Sequence, residues 1–359
     1  MREAFGRLGR YSLLKGVSLF LMVVVALYLT VFIANWGGEL DKIRRAQIKY
    51  DVTVGVSMAF ADQGLTQEQL QVIIDDAVAT QYRRFGLDRP FIIRSFYYLR
   101  DAVTLNLGRA EMMTSDYGSR QVTDILKDRV PRTLLLIATS ELILFFLALL
   151  IALFLSRRYG GWLDRVIVGL APTSAAPGWF YGIFLILIFA AVLGVLPYGR
   201  MVQIGVPKGT WEYFFSVLKH MVLPVSAIII GAIFSSIYSW RTFFLIYSSE
   251  DYVELARAKG LSSQAIERRY VLRPTLPPIV TSFLLMIITV WMGMIILESV
   301  FNWPGLGQTF YEAMQRFDTP VIVGIVVIYG YLLAATVFML DFIYALLDPR
   351  VRVGPGGSR

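Results

Sequence analysis

Residues 248–278 read SSEDYVELARAKGLSSQAIERRYVLRPTLPP, a polar stretch lodged between two long hydrophobic runs. Its chemistry describes a short helix with both ends marked. Ser249 offers a cap, Glu250, Asp251 and Glu254 put negative charge in the first turns, and Arg257 and Lys259 put positive charge in the last. Gly260 suits the left-handed position just past a helix end. Ser262 or Ser263 offers a second start, and Pro274, Pro277 and Pro278 punctuate the return to apolar sequence. The stretch predicts a helix-turn-helix lying across one face of a bilayer.

The rest of the chain supplies the bilayer. Its 359 residues are 56% hydrophobic and 14% aromatic with a mean hydropathy of +0.61, too apolar for a soluble fold. An ionisable side chain near the bilayer centre costs at least about 2.5 kcal/mol, so gaps between charges locate the crossings. Six gaps are long enough: Lys15 to Glu39, Arg132 to Arg157 (interrupted by Glu141), Arg165 to Arg200, Lys219 to Arg241, Arg273 to Glu298, and Asp318 to Asp341. Pro172 and Pro177 split the third into a short lead-in and one span from Gly178 to Leu196, a kinked single crossing. The expectation is an all-α membrane protein of six transmembrane helices.

The net charge of +8 is no sign of nucleic acid, because the basic residues gather at the ends of spans. With six crossings, the clusters at Arg2–Lys15, Arg157–Arg165, Arg257–Arg273 and Arg350–Arg359 all fall on one side, which predicts that side and both termini to be cytoplasmic. The first hydrophobic stretch lacks a small-x-small cleavage site and is expected to remain as an anchor. The expected organisation is a tail and first span over 1–38, an extracytoplasmic subdomain over 39–131, a five-helix core over 132–347 containing the 248–278 loop, and a cytosolic tail over 348–359. Within 39–131, Thr66-Gln67-Glu68-Gln69-Leu70 followed by Val72, Ile73, Ile74 and Val78 predicts an amphipathic helix, and residues 50–61 alternate weakly like a strand. Asn302-Trp303-Pro304-Gly305-Leu306-Gly307 predicts an interfacial turn.

Chemistry is sparse. Zero cysteines remove disulfides, thiolate metal sites and cysteine nucleophiles, and one histidine, His220, gives no metal cluster or triad. No phosphate-binding loop occurs, so ATP-driven work needs another subunit. Glu141, inside the second gap, and Glu298, at the outer end of the fifth, are the candidate substrate-pathway acids.

The stretch Asp251-Tyr252-Val253-Glu254-Leu255-Ala256-Arg257-Ala258-Lys259-Gly260-Leu261 resembles the Glu-Ala-Ala-x-x-x-Gly loop of permease subunits of binding-protein-dependent ABC importers, in its dipeptide/oligopeptide/nickel subfamily form, with Leu255 in place of the first Ala. Glu298-Ser299-Val300-Phe301-Asn302-Trp303-Pro304-Gly305-Leu306-Gly307 and Leu347-Asp348-Pro349-Arg350 resemble two further signatures. Phe85-Gly86-Leu87-Asp88, Leu107-Gly108, Pro131-Arg132-Thr133-Leu134 and His220-Met221-Val222-Leu223-Pro224 are weaker matches in the same order. The chain departs from the subfamily at Tyr270, usually His, and at Pro274, usually Asn. The resemblance implies the type I importer permease fold, in a prokaryotic inner or plasma membrane.

It further implies that Asp251, Tyr252, Glu254, Ala256, Arg257, Ala258, Lys259, Gly260 and Leu261 couple to an ATPase. The implied partners are a second homologous permease, two ABC ATPase subunits that hold the ATP and magnesium, and an extracytoplasmic substrate-binding protein. The subfamily carries peptides, nickel and, in some lineages, oligosaccharides; one histidine and no cysteine disfavour nickel here. The competing class is an ion-coupled secondary transporter or channel, which calls for buried acid relays and inverted repeats; only Glu141 answers to it.

Overall fold

In a bilayer every backbone N–H and C=O must be paired internally, so apolar runs of this length become helices. A computed structural model describes residues 14–29, 32, 39–61, 66–289 and 294–347, and the secondary structure among them is helical apart from one isolated bridge between Arg109 and Gln121. In chain order the helices are α1 (Leu14–Leu29), α2 (Glu39–Ala59), α3 (Gln67–Arg84), α4 (Phe91–Val103), α5 (Val122–Ser156), α6 (Trp162–Leu170), α7 (Gly178–Leu185), α8 (Trp211–Ser248), α9 (Asp251–Ala258), α10 (Ser263–Ile266), α11 (Arg273–Thr289), α12 (Ile295–Val300), α13 (Leu306–Gln315) and α14 (Thr319–Leu347).

Four described helices are long and apolar enough to cross a membrane: α5, α8, the run Ser263–Ile287 and Thr319–Leu340. The pair Trp162–Ala175 and Gly178–Val192 is together long and apolar enough for a fifth crossing but is bent by 98° at its break, and α1 is a shorter apolar helix. These fall on the six charge-free gaps. The expected kink at Pro172 and Pro177 is nearly a right angle, because a 3₁₀ turn (Ala171–Ala175) ends α6 and Pro177 starts α7 afresh.

The prolines of the hinge behave differently. Pro277 and Pro278 lie inside α11, and a π-turn over Glu267–Leu272 precedes it, so one helix continues through them. Thr275 Oγ1 donates to the Val271 and Leu272 carbonyls at 3.0 and 2.9 Å, helping satisfy acceptors near the prolines.

The chain divides into two compact units. The first holds the described residues up to Gly108 with Val326–Ala334 of α14. Leu19, Val23 and Leu27 form a buried stripe on α1, and Leu27 Cδ2 lies 3.7 Å from where a Cβ on Gly330 would sit. Tyr28 and Phe96 stack on the same side at 5.6 Å. Thr66 and Gln69 close a reciprocal capping box on α3, the helix that the sequence predicts. The strand expected over 50–61 is instead the second half of α2. The charged sequence from Glu39 nucleates a helix, and continuation through Val52, Thr53 and Val54 costs only a few tenths of a kcal/mol per residue.

The second unit holds Arg109–Ile325 and the described residues from Ala335 onward. Its frame is the packing of α5 along α8, with α7 crossing α8 where Gly178 and Gly231 meet. A Cβ on Gly231 would stand 2.9 Å from Gly178 Cα, so these backbones touch with no side chain between them. Helix α5 begins at Val122, ahead of the boundary expected at Arg132. Two apolar clusters fill the unit. One joins Ala148, Ala152 and Leu155 of α5 to Ile237 and Phe244 of α8 and to Val253 and Ala256 of α9. The other joins Leu136 to Met221, Ala227, Phe301 and Trp303.

Candidate functional site

Helix α8 has 38 residues, so about 57 Å separates the two ends of the second unit that carry polar side chains. At its C-terminal end stands the hinge. Glu250, with φ −70° and ψ 146°, occupies the N-cap of α9. Ser249, expected there, instead closes α8 and donates its Oγ–H back to the Ile246 carbonyl at 2.9 Å. Gly260 takes φ +76°, and the Gly260 N–H to Arg257 C=O (2.9 Å) and Leu261 N–H to Ala256 C=O (3.3 Å) bonds terminate the helix. Ser262 then caps α10 through Ala265 N–H at 3.4 Å.

Val253 and Ala256, three residues apart on one face of α9, are buried in the α5–α8 cluster. Asp251, Tyr252, Glu254, Arg257, Ala258, Lys259 and Gly260 are exposed, as is Leu255 at 56%, and Leu261 is half-buried. The helix is therefore anchored on two small side chains and presents the others outward. Val253 is an anchor that sequence reasoning missed; its three-residue spacing from Ala256 is the available signal.

Two ion pairs stiffen this end. Arg241 of α8 and Asp164 of α6 form a bidentate pair, with Nη2 to Oδ2 at 2.6 Å, and both are buried. Asp164 also accepts the Gly160 N–H at 2.9 Å, and the Arg241 guanidinium lies 5.0 Å from the Tyr159 ring. Arg157, just past α5, pairs with Glu267 in the π-turn after α10. In the sequence, Asp164 and Arg241 look only like markers of span ends.

At the opposite end the expected interfacial turn is built around a carboxylate. Glu298 has no exposed surface. Its Oε1 accepts from Thr133 Oγ1 at 2.8 Å, and its Oε2 accepts from the Gln308 N–H at 3.1 Å. Thr133 Oγ1 in turn accepts the Leu306 N–H at 2.7 Å, and the fully buried Trp303 donates its Nε1–H to the Arg132 carbonyl at 3.0 Å. A Cβ on Gly305 would fall 2.4 Å from Thr133 Oγ1 and 2.5 Å from Glu298 Oε2, so only glycine fits. Two segments 165 residues apart, Arg132-Thr133 and the Trp-Pro-Gly turn, thus form one knot. Beside it, buried Asp318 accepts the N–H groups of Glu111, Met112 and Met113 at 3.1, 2.8 and 2.9 Å, tying the 109–121 loop to the start of α14.

A cavity of about 470 Å³ opens at this end, and neither Glu298 nor Glu141 lines it. On its wall, Asp116 pairs with Arg132, with Arg129 at 3.5 Å and with Lys208 at 3.4 Å. Partial burial alone would raise the pKa of Asp116, but the bond from Arg132 and the charges of Arg132, Arg129 and Lys208 hold it below the usual carboxylate range. Glu141 stands apart, half-buried on α5 two turns beyond Thr133, without a hydrogen-bond or ion-pair partner among the described residues. His220 Nδ1 lies 2.7 Å from the Ser216 carbonyl of its own helix. The described residues hold no cluster of three or more metal-ligating side chains.

The sequence pattern of the binding-protein-dependent transport system inner membrane component matches residues 145–353, more than half of the chain. The dipeptide transport system permease protein DppB of Bacillus subtilis (strain 168) is 29% identical over 274 residues, 76% of this chain and 83% of its own. The glutathione transport system permease protein GsiC of Salmonella choleraesuis (strain SC-B67) is 31% identical over 280 residues, 77% of this chain and 84% of its own. Among solved structures, the MetNI methionine ABC transporter in inward-facing conformations aligns at a TM-score of 0.48 and 18% identity, covering 62% of this chain and 96% of its own.

Proposed function

The chain belongs to the family of binding-protein-dependent transport system inner membrane components, and from that premise we propose that it forms half of the translocation pathway of an ATP-driven importer of di- and oligopeptides. Its partners in this reading are a second permease, two ATPase subunits that bind ATP and magnesium, and a binding protein on the far side of the membrane. The basic clusters in its short loops support a cytoplasmic side for α9 and both termini.

The observation that carries the reading is α9 itself, a helix held to the α5–α8 core by Val253 and Ala256 with its remaining surface unused. Closure of the ATPases on ATP would push on that surface. Because α9, α5, α6 and α8 are joined by packing and by the Asp164–Arg241 and Arg157–Glu267 pairs, the push moves them together as one rigid lever. The Glu298–Thr133 knot receives the motion at the other end of α5. Glu298 acts there as the pin of the outer turn, whereas Glu141, a carboxylate unpaired within an apolar span, is available to a cation in the pathway such as a peptide ammonium.

Reconstitution tests the reading. The chain in liposomes by itself should hydrolyse no ATP and pass no peptide; both activities should appear when the second permease, the ATPases and the loaded binding protein are supplied. In that full system, Glu141→Gln should weaken uptake of free peptides more than of N-acetylated ones. Ion-gradient-driven uptake by the single chain without ATP would establish the secondary-transporter class instead.

A further inference from the structure

The cavity remote from α9 is lined by more cations than carboxylates, although Asp128 and Glu312 as well as Asp116 lie close enough to act on Arg129. Arg129, Arg132, Arg200 and Lys208 line it against two carboxylates, Asp116 and Glu312. Both acids are engaged. Asp116 is shared by Arg132, Arg129 and Lys208, and Glu312 pairs with Arg316, outside the cavity, at 3.9 Å. Arg200 has no acidic partner among the described residues, and Arg129 Nε is buried without any hydrogen-bond partner. A buried guanidinium N–H without an acceptor is desolvated without compensation, and an anion in the cavity would supply the acceptor it lacks.

The missing group has a definable chemistry. Guanidinium forks match planar carboxylates better than spherical ions, and half-buried Met201, Val202 and Val206 add an apolar wall that a bare inorganic ion would leave unused. A volume of about 470 Å³ lies within the range of small-ligand pockets and admits the end of a short peptide. The floor is rigid, since the Glu298–Thr133–Leu306 knot and the Arg200 N–H bond to the Phe301 carbonyl (2.8 Å) fix the loops that carry the cations. We propose that this cavity is a receiving site for the C-terminal carboxylate of a peptide, with Arg129 and Arg200 as the groups that bind it. The assignment rests on the peptide-importer reading and gives that reading a polarity: the carboxylate end is held at the outer mouth.

The cysteine-free chain permits a direct test that is separate from transport. A single reporter, Gln203→Cys or Ile204→Cys, both on the cavity wall, is placed in the complete permease–ATPase complex in nanodiscs without binding protein, and its labelling rate by a thiol reagent is measured. Tri-alanine should slow labelling several-fold, tri-alanine amide should not, and Arg200→Gln or Arg129→Gln should remove the protection by the free acid. Equal protection by acid and amide, protection by neither, or protection that survives both arginine substitutions overturns the assignment. Protection given only by ligand-free binding protein overturns it too, in favour of a docking face. Peptide uptake by the same complex in liposomes with loaded binding protein, without protection in the labelling assay, would refute this site and leave the importer reading intact; protection without such uptake would do the reverse.

Discussion

Replacing Gly260 isolates the geometry of α9 from its surface chemistry. The residue has φ +76°, and a Cβ built on it meets nothing within 4 Å, so the cost of a side chain there is conformational and not steric. Holding an L-residue in the left-handed region costs about 1–2 kcal/mol, less for asparagine and most for a β-branched residue. The order of damage should therefore be Val, then Ala, then Asn, with Asn near wild type. A loss of about 1.4 kcal/mol is tenfold in an equilibrium constant. If the terminated form of α9 is the one that the ATPase grips, Gly260→Val should raise the ATPase concentration for half-maximal assembly by about tenfold and depress substrate-stimulated ATP hydrolysis at fixed subunit ratio. The assay is a titration of purified ATPase into nanodisc-embedded permease, followed by stimulated hydrolysis. Equal behaviour of Gly260→Val and Gly260→Asn would refute the reasoning, since only backbone conformation separates them in open space.

At the other end, Thr133→Val should destabilise the complex by about 3–5 kcal/mol, because it removes a donor to a buried carboxylate and strands the Leu306 N–H. Thr133→Ser keeps both bonds and should lose only about 1 kcal/mol for the methyl group; thermal denaturation of the assembled complex distinguishes them, and a serine variant as damaged as valine would show that packing holds the knot. Topology is read by an impermeant thiol reagent on intact cells: Ile204→Cys should label from outside and Ser263→Cys only after permeabilisation, and early labelling at 263 would invert the orientation.

The sequence carried the local physics well. The spans were legible because charge is too costly to scatter through them, and α9 was legible because its acids, bases and Gly260 lie within ten residues of one another. What eluded it depends on partners distant along the chain. Ser249 is the credible cap until the end of α8 is known, and residues 50–61 look like a strand until the helix entering them is seen. The three prolines signal a break, yet α11 runs on through them after the π-turn. The cavity at the end opposite α9 was invisible, because its cations come from segments some seventy residues apart and each reads alone as a span boundary. Nothing near Glu298 in sequence announces Thr133 as its hydrogen-bond partner.

The Asp164–Arg241 pair also bears on how the chain is made. An arginine entering the bilayer near the end of α8 faces a penalty of about 2.5 kcal/mol or more at depth. Its carboxylate leaves the ribosome 77 residues earlier. At about 5–20 residues per second that is a lead of roughly 4–15 s. Translation order therefore delivers the counter-charge before the charge, so α8 need not wait for another subunit to make its arginine tolerable in lipid.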